Sequence, residues 1–582
     1  ELKKGETLEE ALKMKFGLPK SKQARERKEK EGRIVDEEAV KALEQKIAKP
    51  LYGVNVRLVA SAPTPYRAME LLEGLGGSFA QFAAPLRNEF QVKEYSDVKK
   101  ALYKYIFREY DSGEEMILGA DELASIFHLP IASTDIPRVH AVKAREASPP
   151  PQLPKAGTLV GESMYRGERR PVFITDEDRR RHVYVVGQTG TGKSNLLVNM
   201  VRADIAAGKG VAVIDPHGDL VDAIISAVPP SRYGDIIVFD PGDRMYPLGL
   251  NMLEYDSRYP EQKTFIVNEM QGIFNRLFSQ ETMGPMFEQY MRNALLLLME
   301  DAENEPATLM EVPRVFTDPE FRKRKLARIH NPTVVDFWEK EAVKAGGEAS
   351  LANMTPYITS KFNNFIANDY MRPIIGQRKS AFNFRKCMDE GKILLVNLAK
   401  GRIGDINAGL LGMVIVGKLL MASLSRVDVP ENKRRDFYLY IDEFQNFTTD
   451  SIATILSEAR KYHLDLVVAH QFIAQLQEKI RDAVFGNVGS LVVFRVGATD
   501  AEFLVKQFEP TFTKSDLINI DNYNAYVKLL IGGETTPPFN IQTLRAATGS
   551  SEAGRVVKEQ SRKRYGGDLR AIEEDILKRL RG

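Results

Sequence analysis

One stretch of the chain, HVYVVGQTGTGKSNLLVNM at residues 182–200, limits the possible folds more than any other. An apolar strand runs into a loop with glycines at positions 187, 190 and 192, and a helix follows. Glycine lets backbone N–H groups turn inward around an anion, and the amino end of the helix adds positive potential. The stretch therefore predicts a phosphate-binding loop between a buried strand and a helix.

The spacing Gly187-x4-Gly192-Lys193-Ser194 predicts roles within this loop. Lys193 is expected to reach the β- and γ-phosphates of a nucleotide, and the Ser194 hydroxyl is expected to bind Mg²⁺. The residues predicted to surround the nucleotide are Gly187, Gln188, Thr189, Gly190, Thr191, Gly192, Lys193, Ser194 and Asn195.

A second strand, in DFYLYIDEFQNF, ends in the paired acids Asp442 and Glu443. A carboxylate at the carboxyl end of a strand beside a phosphate loop meets the Mg²⁺ shell, so Asp442 is the predicted metal-side acid. Glu443 is predicted to orient the attacking water and to accept its proton. The alternative is that the pair consists of solvated acids at a strand end.

Three polar residues near two later strands are further candidates. Gln471 follows LDLVVAH and is placed to sense the γ-phosphate. Arg460, just before that strand, and Arg495, in LVVFRVGATD, are candidate charge stabilisers for a nucleotide on a neighbouring subunit. Solvation of either arginine, or neutralisation of a helix end by Arg460, is the alternative.

The segment VAVIDPHGDL places Asp215, His217 and Asp219 after another predicted strand. A metal cluster is one interpretation. A turn shaped by Pro216 and Gly218 beside the nucleotide is the favoured one.

Composition limits the remaining possibilities. A chain of 582 residues is too long to fold around a single hydrophobic core, so several domains are expected. The net charge of +2 supplies no argument for nucleic acid, so such binding would need local basic patches. The single cysteine, Cys387, is typical of a reducing setting and is interpreted as a packed side chain. No apolar run is predicted to span a membrane.

The alternation of strands and helices predicts an α/β fold, with a parallel-rich sheet covered by helices on both faces. An inserted all-α domain and a small N-terminal α+β domain complete it. The predicted segments are a charged arm (1–35), the α+β domain (36–146), a proline-rich linker (147–156), the first part of the α/β domain (157–255), the helical insertion (256–385), the second part of the α/β domain (386–545) and a charged tail (546–582).

Seven motifs follow one another as VVGQTGTGKS, VIDPHGDL, PLGLN, ILLVNLAKGRIG, YIDEFQNF, LSEARKYHLDLVVAHQ and VVFRVGATDAE. Together they resemble the HerA/FtsK superfamily of pumping ATPases, above all the conjugative coupling and type IV secretion ATPases. The resemblance implies a RecA-like P-loop core, ATP and Mg²⁺ as cofactors, and a homo-hexameric ring with sites at subunit boundaries. It also implies that Arg460, in EARKYH, is an arginine finger.

The resemblance further implies an ATP-hydrolysing motor that moves DNA, single- or double-stranded, through a central channel. Candidate channel residues are Lys361, Arg378, Lys379, Lys400 and Arg402. A secretion or pilus-assembly ATPase that drives protein is the alternative, and Glu443 argues against a third class, a nucleotide-binding scaffold. The expected location is the cytoplasmic face of the cell membrane, beside a membrane channel or secretion machine.

Overall fold

The structure is a computed structural model that describes residues 37–84, 88–127, 144–279, 283–342 and 348–581. The chain divides into two compact units, residues 1–140 and 141–582. The sequence had suggested a division at residue 146. The predicted charged arm, residues 1–35, lies outside the described residues.

The first unit combines helices with a two-stranded antiparallel sheet. Its elements are α1 (Glu37–Ile47), β1 (Leu51–Val54), α2 (Pro65–Ser78), α3 (Val98–Ile106), β2 (Met116–Gly119) and α4 (Ala120–Ile126). The buried Lys104 donates to Glu114 at 2.9 Å and to Asp111. These bonds tie α3 to the turn before β2, and the unit is the expected small α+β domain.

The second unit opens with the strands and helices that surround the predicted phosphate loop. They are β3 (Thr158–Tyr165), β4 (Glu168–Ile174), α5 (Asp176–Arg179), β5 (Val183–Val186), α6 (Lys193–Ala206), β6 (Gly210–Asp215), α7 (Asp219–Ile225) and β7 (Ile236–Phe239). β3 and β4 form the hairpin expected at Gly167, where Arg166 and Gly167 have positive φ angles of 50° and 81°.

Helices alone occupy the next part of the chain within the described residues. They are α8 (Gln262–Leu277), α9 (Pro285–Glu300), α10 (Val312–Thr317), α11 (Pro319–Leu326), α12 (Pro332–Asp336), α13 (Glu348–Ile366), α14 (Arg372–Ile375) and α15 (Phe384–Glu390). The apolar stripe read from the sequence of α9 is buried, and Phe287 within it packs near Phe274 of α8, with ring centroids 6.0 Å apart. Burial of this stripe joins the helices into one layer.

The chain then returns to alternating strands and helices. These are β8 (Ile393–Asn397), α16 (Lys400–Ile403), α17 (Asp405–Leu424), β9 (Phe437–Ile441), α18 (Asp450–Glu458), β10 (Leu464–His470), α19 (Glu478–Asn487), β11 (Ser490–Val493), α20 (Ala498–Phe508), α21 (Lys514–Ile518), β12 (Asn524–Lys528), β13 (Leu530–Ile531), β14 (Glu534–Thr535) and β15 (Phe539–Gln542).

Eleven strands form one sheet in the order β4-β3-β15-β12-β11-β5-β10-β9-β6-β8-β7. The strands from β11 to β7 in this order run parallel, and the others pair antiparallel. Successive residues of β5 face opposite cores, Val183 and Val185 one, Tyr184 and Val186 the other. A strand buried on both faces needs helices on both sides, and the predicted α/β fold class is confirmed.

The segment expected to be a linker packs along the second unit. The Ala147 N–H donates to Asn540 Oδ1 at 2.8 Å, and Pro149 and Pro150 are buried. Proline supplies apolar surface without an N–H that needs a partner, so a proline-rich stretch can lie against a core as well as join two domains.

The segment predicted to be a charged tail forms two docked helices, α22 (Ser551–Tyr565) and α23 (Leu569–Arg581). Ser561 of α22 accepts a hydrogen bond from the Val238 N–H at 2.8 Å, next to the edge strand β7. Arg579 of α23 pairs with Glu311 of the helical layer at 2.6 Å, with both side chains 7% exposed. The charges on these helices thus find partners on the rest of the unit.

Helix α17 has the length and composition of a membrane span, although no apolar run was predicted to span a membrane. The most apolar stretch of 18 residues within 405–428 has a mean hydropathy of 1.8, which makes this helix, among the described residues, the one long and apolar enough to cross a membrane. However, 94% of its apolar window is buried inside the protein. Core helices of globular domains meet the same two criteria.

Cys387 is packed in α15 with 3% of its surface exposed, and burial raises the pKa of its thiol to about 12. We expect the folded protein to react with a thiol reagent at pH 8 at least about 10³-fold more slowly than the unfolded chain, because the thiolate is the reacting form. Labelling with a chromogenic disulfide, with a urea-unfolded sample as the control, measures this ratio. Rapid labelling of the folded protein would contradict the packing of this residue.

Candidate nucleotide site

The loop of residues 187–192 lies at the carboxyl end of β5, between β10 and β11. The Gln188 N–H donates to the Arg495 carbonyl at 2.8 Å, and the Tyr523 N–H donates to the Thr191 carbonyl at 2.7 Å. A Cβ atom on Gly187 would lie 2.6 Å from Cβ of Phe494, a distance that excludes every other residue type. The protein itself therefore holds the loop in position.

Lys193 begins α6 and folds its side chain back over the loop. Its ammonium donates to the carbonyls of Gly187 at 2.5 Å and Gln188 at 3.1 Å. Burial lowers the pKa of Lys193, and the carboxylates of Asp442 and Glu443 oppose this shift. A cation at the amino end of a 14-residue helix suits a polyphosphate.

Two oxygen ligands for a divalent cation meet beside this lysine. Ser194 Oγ lies 3.5 Å from Asp442 Oδ2, since β9 places Asp442 at the same edge of the sheet as the loop. Burial and the neighbouring Glu443 raise the pKa of Asp442 to about 6. No group of three or more His, Cys, Asp or Glu side chains in the described residues could hold a metal alone. Mg²⁺ commonly binds one or two protein oxygens together with nucleotide phosphates, so Ser194 and Asp442 fit it.

Glu443 is linked to the phosphate loop through Gln471. The Gln471 amide donates to Glu443 Oε1 at 2.6 Å, and the Thr189 hydroxyl donates to Gln471 Oε1 at 2.9 Å. β10 ends at His470, so Gln471 lies one residue past the strand that separates β5 from β9. The structure therefore brings Thr189, Gln471 and Glu443 together.

Asn195 and Arg495 lie close to the loop, with side chains engaged elsewhere. The Asn195 amide donates to the Leu544 carbonyl at 2.5 Å, and its oxygen accepts from the Ala546 N–H at 2.6 Å. The Arg495 guanidinium donates to the Ile520 carbonyl at 3.3 Å. Because its side chain is engaged, Asn195 can offer a phosphate only its backbone N–H, which lies in the first turn of α6. Arg495 lies beside its own subunit's loop.

Arg460 lies at the opposite edge of the sheet. It belongs to a 3₁₀ turn, Ala459–Tyr462, directly before the amino end of β10, and its side chain is exposed. In a parallel sheet the carboxyl strand ends, which hold the phosphate loop, are one strand length away. Arg460 therefore cannot reach the phosphate-loop residues of its own chain.

The segment after β6 forms a turn, as favoured from the sequence. Asp215 is buried, and its carboxylate accepts from the N–H groups of His217 at 2.9 Å and Val221 at 3.1 Å. The carboxylate is used to close the turn and to cap the start of α7.

Gln445 and Arg276 were not singled out from the sequence. The Gln445 amide donates to Glu443 Oε2 at 2.7 Å, and Arg276 donates to the Gln445 carbonyl at 3.2 Å. The position of Gln445 two residues after Glu443 is a signal that could have been used. Nothing near Arg276 in the sequence marks it, because it belongs to the distant helix α8.

Three family profiles match the sequence. The central domain of the helicase HerA matches residues 158–272, and the TraM recognition site of TraD and TraG matches residues 436–507. A domain of unknown function, DUF8128, matches residues 3–141. A search of curated proteins finds no match to the chain.

Several solved structures are similar to this one. The unbound monoclinic form of the bacterial conjugative coupling protein TrwBdeltaN70 is 18% identical, covers 69% of this chain and 91% of its own, and has a TM-score of 0.50. VirB4 of Thermoanaerobacter pseudethanolicus is 14% identical, covers 68% of this chain and 97% of its own, and has a TM-score of 0.48. At these identities the likeness concerns the fold.

The HerA profile covers the phosphate loop, and the TraD and TraG profile covers the strand that carries Asp442 and Glu443. The two matches thus fall on the two halves of one site, which β5 and β9 form with β10 between them. These two profile matches, together with the fold, support a HerA/FtsK-type conjugative coupling ATPase.

Proposed function

We propose that this protein is a Mg²⁺-dependent ATPase that works as a ring and moves DNA through its central channel. The observation that carries the proposal is the position of Glu443. Its carboxylate lies next to the phosphate loop and is bonded to Gln471, which is bonded to Thr189 of the loop. A nucleotide-binding scaffold has no need of an acid at this point.

The residues of the site divide the work of hydrolysis. Lys193 and the backbone N–H groups of the loop hold the β- and γ-phosphates. Ser194 and Asp442 hold Mg²⁺, which supplies charge neutralisation when bound. Glu443 takes a proton from the attacking water. At the same time the water oxygen bonds to the γ-phosphorus, and the bond from the γ-phosphorus to the leaving ADP oxygen breaks. Gln471 reports whether the γ-phosphate is present.

The two arginines suit different subunits. Arg495 lies beside its own loop, so we assign it to the nucleotide of the same chain. Arg460 is exposed at the other edge of the sheet, which suits a charge supplied to the nucleotide of a neighbouring subunit. A site completed in this way requires an assembly, and a homo-hexameric ring is the form that we propose.

DNA is the proposed track, held through its phosphates without sequence readout. Among the candidate channel residues, Lys400 lines a cleft beside the loop that follows β9, whereas Arg402 lies against the turn at Gly242. The proposed location is the cytoplasmic face of the cell membrane, where the motor would meet a membrane channel or secretion machine.

The ATPase rate with and without DNA tests this proposal. We expect the wild-type rate to rise when single-stranded or duplex DNA is added, and the form that stimulates it identifies the track. Glu443→Gln is the inactive control. A rate that is sensitive to Glu443→Gln but unaffected by either form of DNA would reject the DNA motor and favour a secretion or pilus-assembly ATPase that drives protein.

A further inference from the structure

The carboxylate of Glu443 is held from both sides. Gln471 donates to Oε1 at 2.6 Å and Gln445 donates to Oε2 at 2.7 Å. The backbone of Glu443 is left-handed, with φ and ψ both 47°, a conformation that non-glycine residues adopt at a cost. A general base must offer a lone pair to water. An amide already takes one lone-pair site on each oxygen of this carboxylate, which fixes its orientation and lowers its basicity.

The Gln445 side chain is itself incompletely satisfied. Its amide nitrogen binds Glu443, but its Oε1 is buried and has no hydrogen-bond partner in the described part of the structure. A buried carbonyl oxygen without a donor is costly, so another conformation of this side chain can compete with the observed one. The contact with Glu443 is therefore suited to being released.

The contact also connects to the helical layer. Arg276, in the last turn of α8, donates to the backbone carbonyl of Gln445 at 3.2 Å. With the bonds from Thr189 to Gln471 and from Gln471 to Glu443, hydrogen bonds run from the phosphate loop through the Glu443 carboxylate to the side chain of Gln445, and Arg276 holds the backbone of that residue. A group that pulls on Arg276 therefore acts on Gln445.

A cleft of about 270 Å³ lies at the far end of this chain of bonds. Arg276, Lys400, Gln445 and Asn446 supply most of its polar lining. Its acid, Asp405, pairs with Lys400 at 3.3 Å and has 78% of its side chain exposed. Arg276 is exposed and bonds to a neutral carbonyl, so its charge is available to an anion.

We propose that Gln445 is a positioning residue that restrains Glu443, and that a backbone phosphate of DNA in this cleft draws Arg276 away and releases the restraint. The inference rests on the proposed function and adds a point at which the track acts on hydrolysis. An arginine prefers a phosphate to a carbonyl because the phosphate carries charge and accepts two parallel bonds. Loss of the Arg276 bond releases the backbone at Gln445, which lets its side chain leave Glu443, and Glu443 then turns an oxygen toward water.

The test measures kcat and the KM for ATP of Gln445→Ala, with and without a single-stranded oligonucleotide and its duplex. We expect the DNA-free kcat to rise about fivefold, the factor that corresponds to one hydrogen bond, with the KM for ATP unchanged. Stimulation by DNA should shrink by the same factor. Gln560→Ala, at an exposed position of α22, is the matched control and should behave as wild type.

Arg276→Ala tests the cleft and changes a residue at the surface, where folding is not at risk. We expect its DNA-free kcat to rise, as for Gln445→Ala, because the same restraint is lost, and DNA to stimulate it no further. Arg292→Ala, which removes an exposed arginine of α9, is its control. Full stimulation of Arg276→Ala would overturn the role of the cleft.

A Gln445→Ala enzyme slowed equally with and without DNA would show that Gln445 assists Glu443, and would overturn the restraint. A DNA-free kcat of Gln445→Ala equal to that of wild type would also overturn the restraint. The restraint is tested by the kcat measured without DNA. The DNA motor is tested separately, and it fails if neither form of DNA stimulates the wild-type enzyme.

Discussion

Glu443→Gln is expected to slow ATP hydrolysis by about 10²–10⁴-fold, the contribution of a positioned general base. ATP should still bind, because Glu443 contacts Gln471 and Gln445 and lies outside the loop that holds the phosphates. Glutamine keeps the shape of glutamate, but its NH₂ group faces an amide donor, so one of these two hydrogen bonds is lost.

Single-turnover hydrolysis and binding of a fluorescent ATP analogue separate the two effects. Glu431→Gln, at an exposed 3₁₀ turn remote from the site, is the matched control and should hydrolyse ATP at the wild-type rate. Residual hydrolysis within tenfold of wild type would remove Glu443 from the role of base. Loss of nucleotide binding would instead assign it to holding the nucleotide.

Arg179→Met is expected to destabilise the protein by about 3–5 kcal/mol, because it leaves a buried carboxylate without its main partner. Arg179 makes two hydrogen bonds to Asp204, at 2.7 and 2.8 Å, and neither side chain is exposed. It also donates to Tyr440 at 2.7 Å and lies over the ring of Tyr438, 3.8 Å from its centroid. One guanidinium thus joins α5, α6 and β9.

Thermal unfolding measures the loss, and a decrease in Tm of about 3–5 °C is expected for a unit of this size. Arg180→Met is the matched control, since the adjacent Arg180 pairs with Asp436 at a partly exposed site and should cost about 1 kcal/mol. The double variant Arg179→Met with Asp204→Leu should recover much of the loss, because no charge is then left buried. Similar melting of Arg179→Met and Arg180→Met would contradict this account.

Local features of the site could be predicted from the sequence. The P-loop from Gly187 to Ser194 needs its glycines and its helix start within one continuous segment, so its pattern is visible in the residues themselves. The same holds for Asp442 and Glu443, which directly follow an apolar strand, and for the hairpin at Gly167. Each of these signals depends on neighbours in the chain, and periodicity and spacing record such neighbours.

Contacts between distant segments could not be predicted in this way. Docking of the tail depends on pairs such as Arg579 with Glu311, and the membrane-length helix α17 is a core helix because other elements cover it. The side chain of Asn195 is engaged by residues 544–546, which no local pattern links to it. A charged or apolar stretch has the same sequence whether it is solvated or packed.

The sequence by itself thus determined the phosphate loop, the paired acids and the fold class, since short-range patterns of residues predict each of them. The tertiary structure alone decided the strand order that sets Asp442 3.5 Å from Ser194, the opposite edges on which Arg460 and Arg495 lie, and the contact of Gln445 with Glu443. These depend on which strands become neighbours, and that choice is made by burial of both faces of the sheet at once, a property of the whole domain.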